Sequence, residues 1–385
     1  MANTLTDVMP KILTTALKTL RENAVMPRLV NSDYGVDAAK KGSVLNIPVP
    51  TALVAQDVVP GPFSQTTADM TLNTVQIPLN NWKEVAFYLT DKDQKEIMDG
   101  VPNMQVMEAA KALANVVDKS LFALHTGIYN FVGTPGTTPF APNSSPQAQE
   151  ATNARKFLNR WLAPMEDRRI VLNVDAEAAA LGLPAFQQYL QAGTDVTIRK
   201  GQIGEKLGFD WYTDQNAPNY VGGALVGSPL ITAQPALGAK TVGFSAVSLT
   251  GTLKVGDHFK VAGDSQTYVV TADATAAANA VPAVQFTPGA QVAWAASAVV
   301  TVYQGFAVNL AFHRDCFALA IRTLEDEQFM MNELGGAAYM TMQDPITGIP
   351  MRLEVKREHK RIRWAIDMLW GVGLVRPEFG CIIAG

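Results

Sequence analysis

The sequence predicts an α+β protein in which a small β-barrel or β-sandwich is inserted into a mixed α/β domain. Three observations predict this class. Apolar residues recur at helical spacing from Met104 to Thr126, and segments typical of helix and strand alternate from 149 to 190. A stretch from about 230 to 304 is rich in Val, Thr, Ala and Gly and reads as several short strands.

The composition sets the limits within which these elements are placed. The chain has 385 residues, 48% hydrophobic and 17% charged, which predicts two or three domains at about 150 residues each. Its two cysteines, Cys316 and Cys381, have no ligand-like spacing and indicate buried thiols in a reducing compartment. The net charge of −4 argues against tight, non-specific DNA binding. Without a signal peptide or an apolar run of about 20 residues, we expect synthesis in the cytoplasm and no membrane partner.

The first segment predicts an amphipathic helix that ends before Pro27. Its apolar residues are spaced by three and four: Leu5, Met9, Ile12, Ala16 and Leu20. Two interpretations remain open for this helix. It folds onto its own domain, or it is an arm that lies on a neighbouring subunit.

Residues 42–80 predict a long two-stranded hairpin. Apolar and polar residues alternate over 43–50 and again over 70–78, and the segment 56–63 between them is rich in turn residues. An isolated two-stranded ribbon is marginally stable in water. The hairpin therefore needs a surface to lie against, either in its own domain or on another subunit.

The strongest helical pattern follows Pro102. Asn103 is a plausible N-cap, and apolar residues spaced by three and four continue until Gly127. A helix from Met104 to Thr126 would be about 34 Å long at 1.5 Å per residue. Because the apolar seam lasts only about three heptads, we expect this helix to pack on a sheet rather than in a coiled coil.

A Pro/Gly/Ser-rich loop at 133–147 separates this helix from a small α/β domain. In that domain the patterns predict a helix over 149–162, a strand over 169–174 and a helix over 176–190. Alternation of this kind is typical of a mixed sheet with helices packed on it.

The β-rich region contains several short strands at regular spacing. Two lie within 253–271, joined by a turn at 262–264, and two more are predicted at 283–286 and 298–302. Strands at this spacing predict a barrel or a sandwich.

The clearest strand pair comes near the C-terminal end of the sequence. Apolar residues alternate with charged ones over 351–356, the chain turns at 357–360, and the alternation resumes over 362–370. One face of this pair is strongly apolar and suited to covering the long helix, whereas the other face is charged.

The sequence predicts no catalytic, cofactor-binding or metal-binding residues, and therefore no enzyme. His313-Arg-Asp315 is similar to a kinase catalytic loop, but the Gly-rich loop and the DFG triplet are missing. The segment 237–241 lacks the first glycine of a phosphate loop, and no GxSxG elbow occurs. The four histidines have no ligand spacing: His125, His258, His313 and His359.

Two charged clusters are interpreted as surface features. Glu325 and Glu327 lie in an acidic run that is typical of a solvated face. The basic residues of 356–363 indicate a solvated hairpin end or an intersubunit ion-pair site rather than a nucleic-acid site, because Glu358 interrupts them and no aromatic residue lies within the turn.

Six strings along the chain carry a family resemblance. They are LTDVMPKIL (5–13), MPRLVNSDY (26–34), LTDKD (89–93), AFHRD (311–315), MQDPITG (342–348) and LVRPE (374–378). With these strings and this order of elements, the chain resembles the Hong Kong 97-type fold of tailed-phage major capsid proteins. It is most similar to the podovirus-type branch, which carries an inserted β-domain.

The resemblance implies a role for each segment. In chain order these are an N-terminal arm (1–41), an extended loop (42–84), a peripheral domain with its spine helix (85–135), an axial domain (136–224), an inserted β-domain (225–306), the axial return (307–340) and the peripheral strands (341–385).

The resemblance also implies a function without cofactors. The chain would form the pentamers and hexamers of an icosahedral shell that encloses double-stranded DNA without sequence-specific binding. A separate scaffolding protein, a portal, expansion of a procapsid, and assembly in the bacterial cytoplasm before incorporation into the virion are implied as well.

One departure from the family limits this expectation. The fold's type member cross-links its subunits through a lysine on the extended loop, whereas residues 42–82 contain no lysine here, and Lys41 and Lys83 lie at the base. We therefore expect a non-covalent shell. The alternative function is another phage structural module, such as a tail-tube, decoration or adhesion protein, with 225–306 as its binding part.

Overall fold

The computed structural model describes residues 24–33, 44–49, 73–91, 101–141, 148–187, 196–322, 337–343 and 349–385, together with Thr14, Ala16 and Lys18, which are helical. The other residues of the predicted N-terminal helix lie outside this description. The helices are α1 (Val101–Phe122), α2 (Gln149–Arg160), α3 (Val174–Leu181), α4 (Pro184–Gln187) and α5 (Val196–Lys200). Short 3-10 turns occur at Met26–Arg28, Ala123–Gly127, Arg314–Cys316 and Pro377–Phe379.

The strands form several separate sheets. Those that precede residue 225 are β1 (Val44–Val49), β2 (Asn73–Pro78), β3 (Asn81–Thr90), β4 (Phe131–Gly133), β5 (Arg168–Leu172), β6 (Glu205–Lys206), β7 (Phe209–Thr213) and β8 (Asn219–Tyr220). Between 225 and 305 lie β9 (Leu230–Ile231), β10 (Thr241–Ser245), β11 (Thr252–Leu253), β12 (His258–Val261), β13 (Thr267–Val270), β14 (Ala274–Thr275), β15 (Ala280–Thr287) and β16 (Val300–Tyr303). The remaining ones are β17 (Phe306–His313), β18 (Phe317–Arg322), β19 (Ala337–Gln343), β20 (Pro350–Glu358), β21 (Arg361–Leu374) and β22 (Gly380–Ala384).

A five-stranded antiparallel sheet is built around the long strand β21. Leu369 and Trp370 pair with both β3 and β18, so β3 lies along one edge of β21, and β20 followed by β18 lies along the other. Strand β19 pairs with β20 beyond. Helix α1 packs across one face, where the Trp370 indole N–H donates to Ser120 Oγ at 3.1 Å. The predicted strand pair and its apolar face over the long helix are confirmed.

The predicted bounds of the long helix are wrong at both ends. Helix α1 begins at Val101, so Asn103 is not its N-cap. Pro102 falls in the first turn, where its missing N–H would have no intrahelical partner in any case. At the other end the α-helix stops at Phe122, and the chain tightens into a 3-10 turn that extends to Gly127.

A seven-stranded mixed sheet forms a second layer, in the order β4-β22-β17-β5-β7-β6, with β8 on β17. Strands β22 and β4 run parallel, as do β5 and β7. Helix α2 packs on this sheet and confirms the predicted helix over 149–162, except that it ends at Arg160. The predicted helix over 176–190 is instead divided into α3 and α4, because Gly182 and Pro184 end a helix between them; residues 188–190 lie outside the description.

A six-stranded sheet, in the order β16-β12-β13-β15-β10-β9, closes on itself into a barrel. Leu230 bridges to Val299, the Ser297 N–H donates to Ile231 O at 2.9 Å, and the Val300 N–H donates to Pro229 O at 2.9 Å. The barrel has its own aromatic core, separate from that of the other sheets: Phe244, Phe259, Tyr268, Phe286 and Trp294. Strands β12, β13, β15 and β16 lie where short strands were predicted.

Candidate functional site

The first candidate surface is the base of the predicted hairpin. Strands β1 and β2 pair antiparallel over six residues each, and their inward side chains Leu45, Ile47 and Ile77 are buried. These side chains pack on Ala318 and Ala320, which lie on the face of the five-stranded sheet that is opposite α1. The hairpin base therefore lies against its own subunit, and residues 50–72 lie outside the described part of the chain.

Two glycines of β21 let the hairpin base come this close. A Cβ added at Gly371 would lie 2.5 Å from the Pro78 carbonyl oxygen, and one at Gly373 would lie 2.7 Å from Ile77 Cγ1. Cβ contacts this short are not found in real proteins, so a side chain at either position would force the hairpin away from the sheet. The sequence pattern alone gives no sign of this requirement.

The second surface is the N-terminal segment 24–33, which crosses both sheets. The buried Asp118 carboxylate on α1 accepts from the Met26 N–H at 3.2 Å and from the Val25 N–H at 3.4 Å. Asn216 donates to the same carboxylate at 3.3 Å. Burial, together with the nearby Asp214, raises the pKa of Asp118 to about 7.

The kinase-like triplet 313–315 is a structural turn that also holds this segment. Asn31 donates to Asp315 Oδ1 at 2.9 Å, and Arg314 pairs with Asp33 at 2.8 Å. The His313 ring accepts from the Asp315 N–H at 3.2 Å and so caps the turn. Two of the strings that carry the resemblance, 26–34 and 311–315, therefore contact each other although about 280 residues separate them.

The charged face of the five-stranded sheet is held together by pairs within the chain. Arg352 forms a bidentate pair with Asp367, with Nε–Oδ1 at 2.9 Å and Nη2–Oδ2 at 2.5 Å. The Trp82 indole N–H donates to the same carboxylate at 2.9 Å, while 62% of the side chain stays exposed. Bidentate geometry strengthens an ion pair of this kind.

The basic cluster at 356–363 has acidic partners within the chain. Arg363 pairs with Glu84 at 2.7 Å, and Arg361 pairs with Glu358 at 2.6 Å. Arg357 lies 3.4 Å from Asp91. Of the two interpretations left open for this cluster, these contacts favour the solvated hairpin end. Exposed pairs of this kind contribute about 0 to 1 kcal/mol each.

The barrel contacts the edge of the seven-stranded sheet through buried polar groups. The Thr267 hydroxyl donates to Tyr129 O at 2.7 Å and accepts from the Phe131 N–H at 3.0 Å. His258 Nε2 lies 2.7 Å from Ile128 O and, since a carbonyl only accepts, the ring donates. The contact with the Phe131 N–H occupies a polar group on the outer edge of β4, which would otherwise be open to pairing with another strand.

Both connections between the barrel and the seven-stranded sheet meet at one buried carboxylate. Asp257 accepts from the Lys254 N–H at 2.8 Å, from Gly223 N–H at 3.1 Å and from the Gln304 amide at 3.0 Å. A Cβ at Gly223 would lie 2.1 Å from Thr252 O, so only glycine fits at this position. The barrel is thus fixed to the sheet rather than tethered to it.

Three of the four histidines and both cysteines are buried in the fold. Burial lowers the pKa of His258 to about 4, and it also lowers the pKa values of His125 and His313, so these three rings are neutral at pH 7. His359 is exposed in the turn between β20 and β21. Cys316 and Cys381 are fully buried, and burial raises the pKa of both thiols.

No metal or membrane site emerges from the described residues. In this part of the chain, His, Cys, Asp and Glu side chains nowhere gather in groups of three or more that could hold a metal ion. None of its helices has both the length and the apolar content of a membrane span. Glu325 and Glu327 lie outside the description, and Leu237 is exposed in the turn that precedes β10.

Comparison with solved structures identifies the fold. No protein-family model matches the sequence, and no curated protein matches it. Among solved structures, a chain of Mycobacterium phage Che8 is 15% identical with a TM-score of 0.54, over 94% of this chain and 91% of that one. A chain in the capsid structure of the cyanophage P-SCSP1u is 10% identical with a TM-score of 0.51, over 94% and 88% respectively. The structure has the fold of a phage capsid protein.

Proposed function

We propose that this chain is a major capsid protein that assembles into a closed icosahedral shell around double-stranded phage DNA. The observation that carries the proposal is the likeness to the P-SCSP1u capsid chain, which extends over 94% of this chain and 88% of that one. A hairpin whose base is anchored on the five-stranded sheet and an N-terminal segment that crosses two sheets are features that suit contacts between copies. Neither feature is required by the tail-tube, decoration or adhesion alternative.

The division into segments is part of this proposal, with two revisions. Residues 131–133 and 380–384 were expected in peripheral segments, but β4 and β22 belong to the seven-stranded sheet, so we assign both to the axial domain. Residues 317–322 and 337–340 were expected in the axial return, but β18 and β19 belong to the five-stranded sheet, so we assign them to the peripheral domain. The barrel within 225–306 is proposed as an inserted domain that stabilises the subunit. Its own core and its buried contacts through Thr267 and Asp257 support that role.

The proposal extends to partners and maturation. We infer a separate scaffolding protein, a portal, assembly in the bacterial cytoplasm and expansion from a procapsid. The DNA inside is enclosed without sequence-specific contacts, which agrees with the net charge of −4 and with the acidic partners of the basic cluster at 356–363. A chain that gripped DNA would need a strongly basic face.

Mature particles are expected to be free of covalent cross-links. The segment 42–82 contains no lysine to form an isopeptide bond, and Lys41 and Lys83 lie at its base. When purified particles are boiled in detergent and reducing agent, a denaturing gel should show one capsid band at about 41.4 kDa. A ladder of multimers that resists this treatment would contradict the prediction, and mass spectrometry of its bands would identify the bond.

The shell itself is tested by electron microscopy of the chain, expressed alone and together with the products of neighbouring genes. We expect closed icosahedral particles, or curved sheets and aberrant shells when scaffolding protein is missing. A chain that stays a small, uniform species under both conditions would contradict the shell function. Filaments of constant diameter would favour the tail-tube alternative.

A further inference from the structure

Strand β3 leaves a long edge of the five-stranded sheet open. The strand runs for ten residues, and within the described part of the chain it pairs with β21 alone. An open strand edge presents N–H and C=O groups to which another strand can bond, and natural proteins usually keep such edges short, covered or charged. Strand β3 is instead longer than the typical strand of about five or six residues, which makes it suited to pairing with another chain.

The backbone groups on the open edge belong to every second residue of β3. The Asp91 N–H donates to Lys360 O at 3.1 Å, so the polar groups at position 91 face β21. Because bonded and non-bonded positions alternate along an antiparallel pair, the odd-numbered residues of β3 bond to β21. The N–H and C=O groups of the even-numbered residues therefore point outward. Four of these residues are exposed and lie in a row: Trp82, Glu84, Ala86 and Tyr88.

Two aromatic side chains in this row are exposed and yet held in place. The Trp82 side chain is 62% exposed, and its indole N–H donates to Asp367 at 2.9 Å. The Tyr88 side chain is 49% exposed, and the Arg361 guanidinium group lies 4.3 Å from the centre of its ring. Tryptophan and tyrosine are common anchors of protein interfaces, because they bury a large area and lose little conformational entropy. The row therefore has an anchor toward each end.

The two anchors define one register between β3 and the same strand of a second copy. When the two strands pair antiparallel about Val85, Trp82 of each copy lies directly opposite Tyr88 of the other. Glu84 then lies opposite Ala86, so outward-facing residues oppose each other, as the backbone hydrogen bonds require. Aromatic pairs directly opposite across two strands are stabilising. The strand is therefore complementary to itself in this register.

The two neighbouring registers that match the outward-facing groups are less favourable. One places Glu84 opposite its own counterpart, and like charges at opposed positions are destabilising. The other places Tyr88 opposite Glu84 and leaves Trp82 opposite Thr90, so no aromatic pair forms. The exposed Lys83, on the other face of the strand, lies opposite Phe87 in the preferred register and meets no like charge.

We propose that β3 of one copy pairs antiparallel with β3 of a second copy, about a two-fold axis beside Val85. The same surface serves on both sides of the contact, and the two five-stranded sheets become one continuous sheet. The inference rests on the proposed shell function, because a two-fold contact joins only two copies and a shell needs further contacts. It adds a specific strand and register to that function.

A disulfide across the two-fold axis tests the register. Residues directly opposite at a non-hydrogen-bonded position have Cα atoms about 4.5 Å apart, which a disulfide can span. Val85→Cys should therefore link two copies when assembled protein is oxidised with glutathione disulfide. Because Cys316 and Cys381 are fully buried, the new thiol alone should react. We expect a dimer on a non-reducing gel, and mass spectrometry should find position 85 of both copies in the linked peptides.

Lys83→Cys is the matched control on the same strand. Position 83 is more exposed than position 85, so random collisions would link it at least as well. In the proposed register it lies four positions from its counterpart, about 13 Å at 3.3 Å per residue, which is too far for a disulfide. This variant should give at least tenfold less dimer than Val85→Cys. Equal linking of the two variants, or linking at position 83 alone, would overturn the proposal.

A proline at the open edge tests the backbone pairing itself. Ala86→Pro removes an outward N–H, and proline is tolerated on an edge strand where the N–H faces solvent. The subunit should keep its unfolding midpoint, while linking through Val85→Cys should fall at least tenfold. Ala86→Val keeps the N–H and favours a strand, so linking and assembly should be unchanged. Undiminished linking in the proline variant would contradict the pairing.

The contact and the shell function can fail separately. Shells that form without a link at position 85 would overturn the contact and leave the shell function intact. If no shells form but position 85 still links in concentrated solution, the shell function fails and the contact stands. Absence of both shells and links would refute both.

Discussion

Replacing Gly371 by alanine is expected to displace the hairpin base and to prevent particle formation. The added Cβ would lie 2.5 Å from the Pro78 carbonyl oxygen, and the backbone there is held by six register pairs between β1 and β2. Crowding of this kind typically costs about 1 to 3 kcal/mol. We expect a lower unfolding midpoint for the purified chain, faster proteolysis within 42–80, and few or no closed shells under the electron microscope.

Ala86→Val is the matched control for Gly371→Ala. Ala86 lies on the same face of the five-stranded sheet, but it is exposed, so added carbon atoms meet solvent rather than the hairpin. This variant should unfold and assemble like the wild type. If Gly371→Ala assembled normally and resisted protease equally well, the hairpin base would not depend on the glycine.

The effects of Asp118 and His258 on the stability of the subunit are expected to cancel between about pH 4 and 6.5. The folded pKa of Asp118, about 7, is above its ordinary value of 3.8, so the unfolded chain releases a proton that the folded chain keeps. The free energy of unfolding therefore falls as pH rises through this window. The folded pKa of His258, about 4, is below its ordinary 6.5, so the same free energy falls as pH decreases. The two slopes, each about 1.4 kcal/mol per pH unit at most, oppose each other.

Single variants should reveal the two opposed slopes. In His258→Gln, which keeps an N–H for Ile128 O, urea unfolding should show stability falling with rising pH relative to the wild type. In Asp118→Asn the relative slope should have the opposite sign. Across pH 4 to 6.5 each difference should change by roughly 3 kcal/mol. The double variant should run parallel to the wild type; single-variant curves parallel to the wild type would contradict the prediction.

Local periodicity predicted the elements whose pattern is complete within a short stretch of sequence. The alternation over 351–356 and 362–370 gave β20 and β21, because one face of each strand is buried in the core and the other carries charged residues. The long helix was found for the same reason, although its ends were wrong. The start was wrong because a proline can lie either just before a helix or in its first turn, and Pro102 lies in the first turn.

Contacts between distant segments could not be predicted in this way. Asp257 gathers the two barrel connections, and Asp118 holds residues 25 and 26, but each of these carboxylates looks in sequence like an ordinary surface acid. The need for glycine at 371 depends on a hairpin that lies about 300 positions earlier in the chain. The left-handed backbone of Leu162 gives no signal in the sequence either, because it depends on the hydrogen bonds that Arg168 makes to the same loop.

The interior position of β22 has a consequence for the order in which the chain folds. Strand β22 lies between β4 and β17, and Asn130, beside β4, donates to Gly380 O across 250 positions. Contacts at such separation form slowly, because closing so long a loop costs entropy before any pairing stabilises it. The hairpin of β20 and β21 should thus form early and the seven-stranded sheet late. Until β22 is in place, the edges of β4 and β17 are open to strands of other nascent copies, so productive folding competes with aggregation most strongly when synthesis is fastest.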